Sequence, residues 1–451
     1  MSEPLKLLKN ATICIGFQKR PETVNILYTD KIVAISEQRI YRPDISEAID
    51  LHQKILVPGC IDTNVHSYKG KAPGFPELIA ETRAAAVGGI TTFCDTPEAD
   101  DTVVNSVKKL KAKLDIFADK SFIDFALWGG IRGNDIPLDK DSLANLFRAG
   151  IVGFYTSTYS ENPDFLPLSY LAINDIISSF PNALLAILAE DAVVVNKRIS
   201  GMNTKKRDTI EGYVHNHPAE AERLAVETIL NLSPNALLHF FSLSSADTVT
   251  MLIEAKKAKR DISFDTTPHY AMLTKSDFKK FDGYLKTCPP VRNDSDRDSL
   301  ADALKRGKFD WISSGHTGYP AKQFGKHTFH GIPGMQIMVP LIFSEMYFRQ
   351  NLPLGLMVEL TSTAAAKRLG LYPEKGSLKI GTDADFTVID SGNTTKIDES
   401  FFISKAKMTP FNGKELSCRI DRTILRGQTL YSAEDGLVTT ENIGQWVRAK
   451  H

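Results

Sequence analysis

From Pro58 onward the chain keeps a single rhythm, and that rhythm limits its fold more than any other feature. Short runs rich in β-branched and aromatic residues alternate with longer stretches of helical apolar spacing, the pattern of βα units that build a parallel sheet. The β-type runs fall at 91–94, 122–126, 152–155, 184–188, 237–241, 262–265 and 311–314, and helical stretches lie at 75–87, 218–230 and 295–305. About eight such repeats between residues 58 and 370 fit a closed (β/α)8 barrel, a TIM barrel of the α/β class, better than an open sheet.

The two ends are different. Residues 11–15, 24–28 and 31–35 alternate as short strands, and so do 386–389 and 422–425, with Gly427 at a turn. A few isolated strands cannot bury a face. Residues 1–57 and 371–451 are therefore expected to join in one small, discontinuous β-sandwich beside the barrel at 58–370.

Composition narrows the partners. Lys+Arg and Asp+Glu are 54 each, which gives no electrostatic case for nucleic acid or a membrane surface. The N-terminus lacks the apolar core of a signal peptide, and the longest apolar run, 183–189, is too short to span a bilayer, so a soluble, cytoplasmic protein is expected. Five cysteines, Cys14, Cys60, Cys94, Cys288 and Cys418, lie far apart and read as buried small hydrophobes in a reducing compartment. Cys288, beside Pro289, is the best placed for a nucleophilic role, with His269 or His316 as base.

Three stretches then carry a family resemblance. Val57-Pro-Gly-Cys-Ile-Asp-Thr-Asn-Val-His66, with Ala86-Val-Gly-Gly-Ile-Thr-Thr92 and Asp95-Thr-Pro97, resembles the opening of cyclic amidohydrolases. Lys286-Thr-Cys-Pro-Pro-Val-Arg-Asn293, followed by Arg297 and Leu300, is similar to a segment of allantoinases and dihydroorotases. Lys375-Gly-Ser-Leu-Lys-Ile-Gly-Thr-Asp-Ala-Asp-Phe386 and Thr423-Ile-Leu-Arg-Gly427 resemble the closing sandwich of amidohydrolases. The order and spacing of these stretches agree with the barrel read from the rhythm.

The resemblance implies two zinc ions at the barrel mouth, which lower the pKa of a bridging water and polarise a cyclic amide. It also implies where their ligands would stand: two histidines on strand one, a carboxylated lysine on strand four, single histidines on strands five and six, and an aspartate on strand eight. Here those positions read Asn64 and His66, Tyr155, Leu188, Ser242 and Gly315. Only His66 keeps its donor. One imidazole cannot hold two zinc ions, since each needs about three protein ligands, so loss of the zinc pair is expected. Tyr155 and Leu188 would also fill the space. The H-x-H at His215-Asn-His217 falls in what reads as a polar loop.

Other residues leave alternatives open. His66, His239, His269 and His316 could form a rebuilt cluster with Glu190 or Asp265 as carboxylate. Arg292 and Asn293, and the glycine-rich segment Gly331-Ile-Pro-Gly334, stand where the family meets its substrate. The segment from His66 to Lys71 lacks the arginine with which dihydroorotases bind a carboxylate, and Glu98 replaces an asparagine, an acid that would repel an anionic substrate. The leading expectation is a non-catalytic or catalytically reduced homologue, a pseudoenzyme, forming homo-oligomers. Inactive dihydroorotase-like chains serve as subunits beside partner enzymes such as aspartate transcarbamoylase, and the same role is open here. The rivals are an active dihydroorotase- or allantoinase-type hydrolase with an unconventional site, and a small-molecule sensor that still binds a cyclic amide.

Overall fold

Buried parallel strands read as continuous apolar runs, because helices cover one side of the sheet and the barrel interior covers the other. The computed structural model describes residues 4–16, 19–67, 77–97, 103–318, 331–404, 406–407 and 409–451, and within them these runs are strands. Cys60–His66, Ile90–Asp95 and Asp124–Leu127 pair in parallel, in that order. Phe154–Ser157, Leu185–Leu188, Leu238–Phe240, Ile262–Thr266 and Trp311–Ile312 follow in the same sense.

Two strands change partner midway, and this closes the ring. Past Trp128, Asp124–Leu127 continues as Gly129–Gly130 and pairs with Phe154–Ser157. Past residues 313–315, Trp311–Ile312 continues as His316–Thr317 and pairs with Cys60–His66. The six-stranded and four-stranded sheets are thus two halves of one parallel (β/α)8 barrel.

The chain ends meet as the alternation at each end suggests. Leu5–Ile13, Glu22–Tyr28, Ile32–Ser36, Ile45–Asp50 and Ile55–Pro58 share a nine-stranded sheet with Phe386–Asp390, Arg419–Leu425, Gln428–Ser432 and Gly436–Leu437. The seam is antiparallel, with Leu56 opposite Val388 and Pro58 opposite Phe386. Among the described residues no helix is long and apolar enough to cross a membrane.

A buried ammonium joins sheet to barrel. Lys375 Nζ lies 2.5 Å from Asp124 at the start of the third barrel strand, 2.6 Å from Asp385 and 2.9 Å from Asp383. Arg426 also binds Asp124. Burial alone would discharge Lys375, but the three carboxylates outweigh it and hold the ammonium charged well above its usual range. The motif at 375–386 therefore encodes a charged joint. Removing its cation would leave buried carboxylates uncompensated. Lys375→Met is expected to lower the unfolding free energy by about 3–5 kcal/mol, read by urea denaturation. A loss below about 1 kcal/mol would show that the joint bears no weight.

Candidate functional site

Rings pack the barrel interior up to the C-terminal ends of strands four, five and six, the side on which such barrels carry their sites. Tyr155, on the fourth strand, packs against Phe165 at 5.4 Å and Phe241 at 5.9 Å between ring centroids. Phe241 meets Trp128 edge to face at 5.5 Å. Leu188, the last residue of the fifth strand, packs on the same cluster. Trp128 Nε1 donates to the Thr63 carbonyl at 3.0 Å, and Trp311 Nε1 donates to Thr63 Oγ1 at 2.8 Å. Both indole donors are thereby satisfied inside the barrel, as buried tryptophans require.

The polar residues here bond to one another. Asn64 Nδ2 donates to Ser242 Oγ at 3.0 Å, and Thr96 Oγ1 donates to Asn64 Oδ1 at 3.3 Å. The Ser242 amide donates to Asp265 Oδ1 at 2.5 Å, and the Ser314 amide donates to Asp62 Oδ1 at 2.9 Å. Burial pushes the Asp62 carboxyl up to about 6 and the Asp265 carboxyl up to about 7.

The four histidines expected to converge do not share a donor cluster among the described residues. His66 Nδ1 lies 3.3 Å from the Thr96 carbonyl. His239 stacks on Trp311 at 4.4 Å and contacts Ser263 Oγ at 3.0 Å, and burial drives its imidazole well below the usual range. His316 Nε2 lies 2.9 Å from Glu81, while its Nδ1 accepts the Gly334 amide at 3.1 Å. His269 is buried, which lowers its pKa to about 3. A Cβ built on Gly315 would stand 3.5 Å from the His269 ring.

The residues expected near a substrate have structural partners. Arg292 donates from Nε to Ser244 Oγ at 3.0 Å and from a terminal nitrogen to the His217 carbonyl, with Glu222 3.9 Å away. Asn293 is exposed and caps the helix Asp294–Lys305, accepting the Asp296 amide at 3.2 Å. Gly331 has a positive φ of 114°, and a Cβ there would lie 2.0 Å from Thr317 Oγ1, so only glycine fits. Glu98 and the stretch from Tyr68 to Lys71 lie outside the described residues.

One cluster was not foreseen. His217, expected in a polar loop, is instead buried at the end of the helix Ile210–Asn216, packed on Tyr213 at 4.6 Å and Tyr159 at 5.2 Å. Its Nδ1 lies 3.2 Å from both Glu190 oxygens, and Cys288 Sγ donates to Glu190 Oε2 at 3.3 Å. The histidine grouped with Cys288 is therefore His217, not His269 or His316. Together the three form a partial cluster of metal-capable donors, none of them an expected ligand position. The sequence signal was the H-x-H itself, and its burial depends on tyrosines that are remote or a helical turn away.

Electrostatics lock this cluster. Burial opposes a charge on His217, but Glu190, then Glu161, outweigh it and push the imidazole up to about 9. Burial would likewise raise Glu190, yet His217 and then Arg292 hold it below its ordinary value. A folded-state value raised above the usual histidine value of about 6.5 contributes stability in full below that pH. The contribution is lost as pH rises through about 9. Glu190→Gln is therefore expected to cost about 3 kcal/mol at pH 6 and clearly less at pH 10, by denaturation at both values. An equal penalty at both would contradict a charged pair.

A parallel (β/α)8 barrel with a flanking sheet built from both chain ends defines the class, and the comparisons agree. The amidohydrolase family model matches residues 55–430, and the chain belongs to that family. Similar proteins include an allantoinase of Streptomyces avermitilis, 29% identical over 440 residues, covering 95% of this chain and 96% of that one. An L-hydantoinase of Paenarthrobacter aurescens is 28% identical over 443 residues, covering 95% and 94%. The solved L-hydantoinase (dihydropyrimidinase) from Arthrobacter aurescens superposes with a TM-score of 0.89 at 25% identity, covering 98% of this chain and 99% of that one. The chain is thus a homologue of allantoinase- and hydantoinase-like amidohydrolases with an incomplete, non-canonical set of metal donors.

Proposed function

We propose that this chain is a non-catalytic or catalytically reduced member of the allantoinase and hydantoinase branch, acting in the cytoplasm without the family's pair of zinc ions. One observation carries the reading: Asn64 and Ser242, at two positions where the resemblance calls for imidazole, bond to each other at 3.0 Å. An amide and a hydroxyl bind zinc poorly beside imidazole, and here each already has a partner. Tyr155 and Leu188 support the same reading, because they belong to an aromatic and aliphatic cluster that leaves neither a carbamate nor a ring nitrogen at those places.

Without a metal-activated water, a stable cyclic amide has no strong nucleophile at neutral pH. On this reading the chain acts through binding, as a subunit of a homo-oligomer or beside a partner enzyme, and a cyclic amide is the small molecule to test first. The decisive assay is metal content of the purified chain together with ring opening of allantoin, hydantoin and dihydroorotate. The expected outcome is no pair of zinc ions and no turnover, with Asn64→His alone failing to create any. Two zinc ions per chain with hydrolysis of any of these rings would overturn the reading.

A further inference from the structure

We propose that Glu190, His217 and Cys288 hold a single thiophilic divalent cation of the zinc class. None of the three residues is among the ligand positions that the resemblance implies, although Glu190 stands two residues after Leu188. The donors are a carboxylate, an imidazole and a thiol, all within 4.8 Å of one another, the set that zinc takes in sites with three protein ligands and one open position.

The spacing fits. In a tetrahedral zinc site, nitrogen and oxygen donors stand about 3.3 Å apart, and sulfur and oxygen about 3.5 Å apart. Here Glu190 Oε2 is 3.2 Å from His217 Nδ1 and 3.3 Å from Cys288 Sγ. Two edges of the coordination polyhedron are thus already formed around one oxygen.

The surroundings hold the donors in place. The far nitrogen of His217, Nε2, lies 3.9 Å from the Glu161 carboxylate, beyond hydrogen-bond distance but on the side from which a carboxylate orients a metal-bound histidine. Tyr213 Oη donates to the Thr287 carbonyl at 2.7 Å and Tyr270 Oη donates to the Pro289 carbonyl at 2.6 Å, so the backbone is pinned on both sides of Cys288. Cys288 is half-buried and Glu161 is exposed, which gives an ion a way in.

Charge balance is kept. One dication replaces two protons, one from the imidazolium and one from the thiol, which becomes the thiolate ligand. The net charge of the buried group is unchanged, so no new charge is buried. The other carboxylate group among the described residues, Asp124, Asp383 and Asp385, already encloses the Lys375 ammonium and has no such room.

The test uses the full chain, stripped with a chelator and titrated with Co(II) alone. One equivalent is expected to bind, with a thiolate-to-cobalt charge-transfer absorption and protection of Cys288 from alkylation. Cys288→Ser should abolish that absorption. His217→Gln should weaken binding at least about tenfold, with circular dichroism confirming that both variants remain folded. Absence of a saturable band in the unmodified chain, or binding unchanged in Cys288→Ser, would overturn the site and leave the proposed function standing. Two ions bound with no sensitivity to either variant would overturn both.

Discussion

Eight parallel strands enclose a volume that must be filled at close to crystal density, and what fills it decides what the barrel can do. Here the filling is aromatic. Trp128, Phe241, Tyr155 and Trp311 belong to one cluster, and Thr63 receives the indole donors of the two tryptophans. This packing reaches the strand ends, where an amidohydrolase would otherwise set nitrogen and oxygen donors around metal. Side chains that interlock this way cannot be replaced singly without voids or clashes.

The remaining polar groups follow the rule that buried charge needs a partner. Lys375 gathers three carboxylates at the joint between sheet and barrel. Glu190 takes His217 and Cys288, and Glu222 lies beside Arg292 while accepting the Ser244 and Ser245 amides at 3.1 and 3.0 Å. Polar clusters thus stand both at the strand ends, with Asn64, Ser242 and Asp265, and in the segments that follow strands five and seven, with Glu190, His217 and Cys288.

Much of the fold was legible because buried parallel strands carry their own signal. The run at 262–265 became Ile262–Thr266, and the helix expected at 295–305 became Asp294–Lys305. Ile45–Asp50 was missed because it is largely exposed and polar, held only by parallel pairing with Leu5–Ile13. The partner changes past Trp128 and at 313–315 depend on ring closure, which no local pattern reports.

The candidate site was legible as residue types but not as contacts. That Asn64, Tyr155, Leu188, Ser242 and Gly315 are poor or absent donors follows from their chemistry. That Asn64 and Ser242 bond across 178 residues does not. His217 was misplaced because it stands between Asn216 and Pro218, which read as a loop, while in space it packs against Tyr159 and Tyr213 and pairs with Glu190.

Anomalous diffraction at the zinc edge from crystals soaked in zinc tests the central claim most directly. No peak is predicted in the space among Asn64, Tyr155, Leu188 and Ser242. A pair of strong peaks there would contradict the account.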